Sequence, residues 1–557
     1  MAAFRAALSA LAVDPTGRRW LYVPYDQLGV MGPLCGDPNA MGIVMVEDPA
    51  KASRRPYHLQ KLAYVLANGR HFALEQAARG VAVRFEVARA GLAEALGRLA
   101  AELGPLTMME PAERELRVEL ADLVRAGSLV VVPHTGWLTT EHDFGRACPK
   151  PMWRMDAFYR VVRTRTGILM DSDRPRGGRW SFDAENRESW RGDPPAAVPP
   201  RFTPDAVTRE VGDLLASQYA HHPGVLDLTA LPATAADAEA LWAWARAECL
   251  PRFGPHEDAF SHRSRNLFHT RIAPLLNLHR LLPERIVADA VAADIPLASQ
   301  EGFVRQILGW REFVRHVHRA TDGLRSLPTH PNVAASRLDA NGAAAPSFLD
   351  ADGPLPITFW GGAPSGLACL DDTVRAVWDE GYSHHITRLM VLANLGTLLD
   401  VTPRALTDWF WAAYTDAYDW VVEPNVLGMG TFAVGELMTT KPYIAGSAYL
   451  DRMGDLCATC AFRPGEDCPI TPMYWAFLGR HAERLRRNPR IAGPVASALR
   501  RAPEKRAADE RTYTYVRTTL AAGGVLTPAG VVRARSSLPF PPEGAFPPEG
   551  AFPPEGD

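Results

Sequence analysis

Cys457-Ala-Thr-Cys460, with Cys468-Pro469 close behind, is the part of this sequence whose residue types and spacing most directly imply chemistry. A Cys-x-x-Cys loop brings two thiolates onto one ion or cluster, and a third thiolate nearby supplies most of a ligand set. Proline after a cysteine is common at iron–sulfur ligands, because its missing N–H and fixed φ shape the loop. Zinc uses the same thiolates, so the spacing by itself leaves the metal open. The fourth ligand must come from Cys35, Cys148, Cys249 or Cys369. Cys369 is favoured because it shares the helical half of the chain and follows a glycine-rich loop. Cys35, Cys148 and Cys249 read as small core residues. A thioredoxin-like redox pair would need a strand–Cys-x-x-Cys–helix context that is not seen here.

The rest of the chain must position these thiols. At 557 residues it is too long for one ordinary core, so two or more domains are expected. Seven cysteines, an odd number at low density, argue against a secreted disulfide framework and for a reducing compartment. No apolar run is long enough to span a membrane, and the N-terminus lacks a signal-peptide pattern, so a cytoplasmic protein is expected. A net charge of −3 does not advertise nucleic-acid binding, but the positive charge is uneven. Arg174, Arg176 and Arg179 surround a Gly-Gly, and Arg480 to Arg506 is strongly basic, which is enough to meet a few phosphates.

Residues 20–134 alternate β-rich runs (20–23, 42–47, 81–87, 105–110 and 128–133) with amphipathic helical runs, which predicts a parallel sheet with helices on both faces. No G-x-G-x-x-G follows the first strand, so any ligand here is held another way, at the carboxyl ends of the strands. Residues 147–235 are rich in Arg, Pro, Gly, Asp and aromatics and read as a connector. Residues 236–506 are helical, with a heavy load of Trp and Tyr. The segment 507–557 reads as a C-terminal extension whose Pro/Glu/Gly repeats cannot bury a core and are expected to be disordered.

RGGRWSFDAENR, EGFVRQILGWREF, YSHHITRLM, DAYDWVVEPN and the Cys-x-x-Cys…Cys-Pro segment, in this order, resemble the bacterial iron–sulfur cryptochrome/photolyase family, also described as (6-4) photolyases. The resemblance runs from about Trp20 to about Arg490. It implies an N-terminal doubly wound α/β antenna domain (residues 1–146) joined by the connector to an all-α FAD-binding domain. It also implies a [4Fe–4S] cluster on Cys369, Cys457, Cys460 and Cys468, and a 6,7-dimethyl-8-ribityllumazine antenna near Asp26 and Glu47. The activity implied is light-driven repair of a (6-4) photoproduct in UV-damaged DNA by a monomer. The alternative is a cryptochrome-like photoreceptor with a signalling partner and no repair. A third reading, a nucleic-acid-binding protein with a structural cluster and no flavin, rests on the cysteines alone.

The family's site residues carry over by motif. Arg388 and Asp416 match the ion pair that brackets the flavin, where charge with polar neighbours holds an anionic reduced ring. Thr270, Arg271 and Asn277 fall where the family contacts the FAD phosphates and nearby groups. Gln306, Trp310 and Glu312 are expected to line the flavin and lesion cavity, with Asn394 and Asn425 as further contacts. His385 is the expected proton donor to the lesion, with His384 packing or hydrogen-bonding nearby. Trp409 and Trp360 match positions of the aromatic chain that re-reduces FAD, while Phe410 stands where a redox-active Tyr would be useful. Tyr443 and Tyr449 match aromatics near the cavity. The residue six past Asp416, an Asn or an acid in relatives, is Val422, with Glu423 next, so a one-residue local shift is needed to present an acid.

Overall fold

Five short parallel strands open the chain in the computed structural model, which describes residues 1–536. They are β1 (Arg19–Tyr22), β2 (Met41–Glu47), β3 (Ala82–Val87), β4 (Leu106–Met109) and β5 (Leu129–Val132), in the order β3-β2-β1-β4-β5. Every pairing is parallel, and each strand coincides with a β-rich run of the sequence to within two residues or so. The order reverses between β1 and β4, which places a ligand-binding crevice beyond their carboxyl ends. Gly42 of β2 faces Trp20 of β1, where a Cβ would lie 2.6 Å from the indole ring, so only glycine fits.

One face of the sheet buries Val44, Leu96, Leu99, Leu106, Met108 and Leu129 against its own helices. The other joins the main core, which runs without interruption into the helical remainder. The two halves are also bonded: Lys61 Nζ donates to the carbonyls of Trp411 (2.7 Å) and Ala417 (2.6 Å), and the Glu115 amide donates to Asp419 (3.0 Å). Beyond residue 236 only helices, turns and isolated bridges occur among the described residues. No helix is long and apolar enough to cross a membrane.

The connector, expected to be partly ordered, holds the helices Met155–Thr166 and Ala206–Gln218, the second packed against Leu59–Ala78 and the N-terminal helix Ala2–Ala10. Its Pro and Gly punctuation masked that periodicity. A C-terminal extension beginning at 507 would cut the helix Pro503–Ala521, which packs on Ile470–Arg480 and is followed by Pro528–Arg535. Tyr513 of that helix donates to Asp400 at 2.8 Å, where Arg480 and His481 also bind, so the helical body extends to Arg535. The Pro/Glu/Gly repeats expected to be disordered lie outside the described residues.

Candidate functional site

Arg388 and Asp416 meet as an ion pair at 2.9 Å. The Arg388 Nε donates to the Ser383 carbonyl (2.7 Å), its guanidinium lies 4.1 Å over the Tyr414 ring, and Asn277 Nδ2 donates to the Asp416 carbonyl (2.8 Å). Burial works against the Arg388 charge, but Asp416 and Tyr414 outweigh it and raise its pKa. Arg388 stands in a π-helical stretch, Thr387–Ala393, and two similar stretches, Arg305–Arg311 and Glu423–Gly430, pack in the same half of the molecule. Such interruptions redirect side chains from the ordinary helical face and recur at functional sites.

Next to this pair three histidines converge. His269, His384 and His385 have ring nitrogens all within 4.8 Å of one another. His269 stacks on His384 (4.4 Å, 8°) and meets His385 edge-on (5.1 Å, 75°). Nε2 of His269 and Nδ1 of His384 are buried without a hydrogen-bond partner, so each is a donor or acceptor left for a polar ligand. His384 precedes the helix and His385 begins it, so the 100° separation expected of neighbours on one helix gives way to a grip on both sides of His269. Burial lowers the His385 pKa, Glu257 pulls it back up and Arg388 pushes it down further. Glu257 is itself held by Gln306 Nε2 (2.6 Å) and Asn186 Nδ2 (2.6 Å). Beside it Asp258, facing Tyr449 and Arg187, is pushed up to about 7, chiefly by burial and then by Glu257.

Sequence reasoning missed His269, Glu257 and Asp258. The run His256-Glu257-Asp258 was a signal, but it lies in a turn-rich segment, 254–271, whose path periodicity cannot trace.

These histidines set the acid behaviour of the fold. Burial keeps the imidazoles of His134, His269, His279, His316, His384 and His385 below the ordinary value, His134 at about 3 and His316 at about 2. Below about pH 6.5 the unfolded chain therefore binds more protons than the folded one, and stability falls as pH falls. Asp26, Glu113, Asp258, Glu301, Asp372, Asp419 and Asp509, raised by burial, act in the opposite sense, but with His58, His71 and His222 the nine lowered imidazoles outnumber these seven. The thermal midpoint is expected to drop steadily between pH 7.5 and about pH 5.5; a midpoint that holds or rises over that range contradicts this balance.

The other expected contacts have partners within the fold. Glu312, fully buried, accepts from Thr139 Oγ1 (2.6 Å) and pairs with Arg311 and Arg315, so it braces the chain around Thr139, whereas Gln306 binds Glu257. Trp310 is partly buried, with its ring near Phe313. Asn394 spends both ends of its amide on Ala445, at 3.0 and 3.1 Å, and acts as a backbone clip. Asn425 Nδ2 donates to the Val421 carbonyl (2.9 Å).

Arg271, at φ +56°, binds Glu380 and lies 4.2 Å over Tyr382; Thr270 beside it is half-buried. Val422 is buried, and the local shift that would present Glu423 does not occur. Glu423 points instead to His318 (3.0 Å), Arg404 (3.0 Å) and Arg325 (3.3 Å). Trp409 is fully buried within ring contact of Phe410 and Tyr414, and Trp360 is 38 % exposed at the surface.

At the carboxyl end of β1, Asp26 is 2 % exposed with Oδ1 unpartnered, and burial lifts its pKa to about 6 against the pull of Lys51. The hydroxyls of Tyr25 and Tyr418, whose rings stack at 6.2 Å, are also buried and unpartnered. Orphaned polar groups at the crevice between β1 and β4 fit a small polar ring system. Glu47 does not join them: Arg70 takes both its oxygens, at 2.7 and 3.0 Å, because this buried guanidinium needs a counter-charge. That corrects its expected role.

Cys369, Cys457, Cys460 and Cys468 line one small cavity, walled by Leu367, Leu450, Leu456, Phe462 and Ile470. Burial first, and then the three other thiols, push the Cys369 pKa well up, so the four converge. Cys148 and Cys249 are buried elsewhere and Cys35 is exposed. Four thiols in an apolar pocket are a donor set suited to zinc or an iron–sulfur cluster.

Doubly wound sheet, helical half and paired site together define a photolyase/cryptochrome architecture, and comparison with known proteins agrees. Residues 22–230 match the family model "deoxyribodipyrimidine photo-lyase-related protein". The chain is 33% identical over 483 residues to a (6-4) photolyase of Agrobacterium fabrum, covering 83% of this chain and 92% of that one. It also superposes on a bacterial class III photolyase from Agrobacterium tumefaciens (TM-score 0.51, 14% identity, 94% of this chain and 97% of that one). A Synechocystis cryptochrome aligns with TM-score 0.50 and 14% identity over 75% of this chain and 82% of that one. The chain belongs to the (6-4) photolyase family. Membership implies FAD as the cofactor.

Proposed function

We propose that this chain repairs (6-4) photoproducts in UV-damaged DNA with light, holding FAD beside Arg388 and Asp416. The observation that carries the reading is the convergence of that ion pair with His385, Gln306 and Glu257 in a chain one-third identical to a (6-4) photolyase. Bound reduced FAD supplies one electron on excitation. Arg388, opposed to Asp416, offsets negative charge on the ring. The imidazole of His385 carries a proton to the lesion as charge arrives there, and Glu257 favours the imidazolium. A base reaching this cavity must be flipped from the duplex. Among the described residues Arg174, Arg486, Arg487, Arg490, Lys505 and Arg506 are exposed and form no ion pair, unlike Arg176, Arg179, Arg480, Arg484 and Arg501, so they are among the cations free to meet phosphates.

A lumazine antenna beside Asp26, Tyr25 and Tyr418, and a [4Fe–4S] cluster on the four cysteines, belong to the same reading. Both rest on the family resemblance together with the orphaned groups and the thiol cavity described above.

A visible spectrum of the purified protein tests the cofactor set. Flavin bands on a broad cluster shoulder are expected, and C457S is expected to lose the shoulder, with the iron, while retaining flavin. Absence of flavin bands overturns the proposal; zinc in place of iron overturns the cluster.

A further inference from the structure

Phe410 leaves a chemical gap. Phenylalanine has neither the ionisable hydroxyl of tyrosine nor the easily oxidised ring of tryptophan, so it cannot stand as a radical between Trp409 and the surface. A third indole closes the gap. Trp378, on the helix Ala368–Glu380, lies 5.7 Å from Trp360 (22°, stacked) and 6.2 Å from Trp409 (84°, edge-on). No ring contact joins Trp360 directly to Trp409 or Phe410.

The three indoles are held as one unit. The carbonyl of Phe359, the residue before Trp360, accepts from Trp378 Nε1 and from Trp409 Nε1, each at 2.8 Å. One carbonyl oxygen has two lone pairs and can serve both donors. His58 stacks on the far side of Trp378 (5.8 Å, 3°) and bonds its backbone carbonyl at 3.0 Å, so a residue of the α/β half fixes the ring plane. At the inner end Trp409 meets Tyr414 at 6.0 Å, and Tyr414 lies under Arg388. At the outer end Trp360 reaches water. Tryptophan clusters also serve packing. Packing alone, however, does not require two indole N–H groups on one carbonyl or a large exposed ring stacked on the line to solvent.

The geometry points to Trp378 as the middle member of an electron relay from Trp360 through Trp409 to the flavin, a position for which Phe410 is chemically unfit. This inference rests on the flavin reading above. One electron moves inward at each hop. Trp409, oxidised by the photoexcited flavin, is refilled by Trp378, and Trp378 by Trp360. The exposed Trp360 cation then takes one electron from a thiolate in solution, which leaves as a thiyl radical. The Phe359 carbonyl, facing both inner N–H groups, stabilises the positive charge in transit.

The test is photoreduction of the flavin-loaded full chain with excess thiol, followed by its absorption, together with transient absorption of tryptophan radicals. W378F is expected to reduce roughly tenfold or more slowly, with a short-lived radical confined to Trp409. W360F is expected to shorten the radical lifetime in the same way. W378Y keeps an oxidisable ring, is expected to recover part of the rate, and carries the test should W378F lose flavin. Wild-type kinetics in a flavin-loaded W378F protein, or in W378Y if that alone holds flavin at a wild-type rate with unchanged tyrosine and tryptophan radical signals, overturn the relay. Failure of the wild-type chain to bind flavin overturns instead the reading beneath it.

Discussion

Replacing Glu423 by alanine is expected to destabilise the protein by about 3–5 kcal/mol, the cost of leaving buried cations without their partner. Glu423 is fully buried, and Arg404, Arg325 and His318 all turn to it. Burial alone would push its carboxyl up, but these three partners outweigh it and hold the pKa below the ordinary value. Arg404 keeps a second carboxylate, Asp408, at 2.6 Å, whereas Arg325 keeps no other ion pair. E423Q retains the shape and one acceptor oxygen, with an NH2 donor in place of the other, and is expected to lose less than E423A. Denaturant midpoints measure both variants. If E423A leaves the midpoint unchanged and instead releases flavin, Glu423 faces the cofactor and its bracing role is wrong.

H385A is expected to lower repair by roughly 10²–10⁴, the usual contribution of a positioned proton donor, while flavin content and DNA affinity hold. Alanine removes the one half-exposed imidazole of the triad, and His269 and His384 are each buried in their stack. The depressed His385 pKa adds a second readout. At neutral pH only a minority of free protein carries the imidazolium, so repair is expected to rise as pH falls from 8 toward 6.5. Groups facing His385 are Glu257 and Asp183, which favour its charge, and Arg388 and Arg305, which oppose it. A rate that falls over this range, or persists in H385A, removes His385 from the proton path.

The contrast between these two residues shows what the sequence could carry. The sheet was legible because its strands are short apolar runs between turn residues, and parallel order follows from their alternation with helices. The cysteines were legible because three of them are local; Cys369, distant in sequence, needed only to be in the right half. The Arg388–Asp416 pair was carried by motif.

Direction was not legible. Gln306 and Glu312 sit six residues apart, about 120° around a regular helix, and one goes to Glu257 while the other goes to Thr139. Glu47 and Glu423 are acids in expected positions whose partners, Arg70 and Arg404, come from other elements and claim them. The tryptophan path was half legible: Trp360 and Trp409 stood in known places, while Trp378 is one aromatic among many until the Phe359 carbonyl ties it to Trp409.

The most direct test of the account is repair itself. A short duplex carrying one (6-4) photoproduct is mixed with the reduced full-length protein, and the restored dipyrimidine is measured after illumination and after an equal time in the dark. Restoration is expected in light alone, and lowered by roughly 10²–10⁴ in H385A. A lesion left intact in light, by protein that holds reduced flavin and binds the duplex, contradicts it and leaves a photoreceptor of the same architecture.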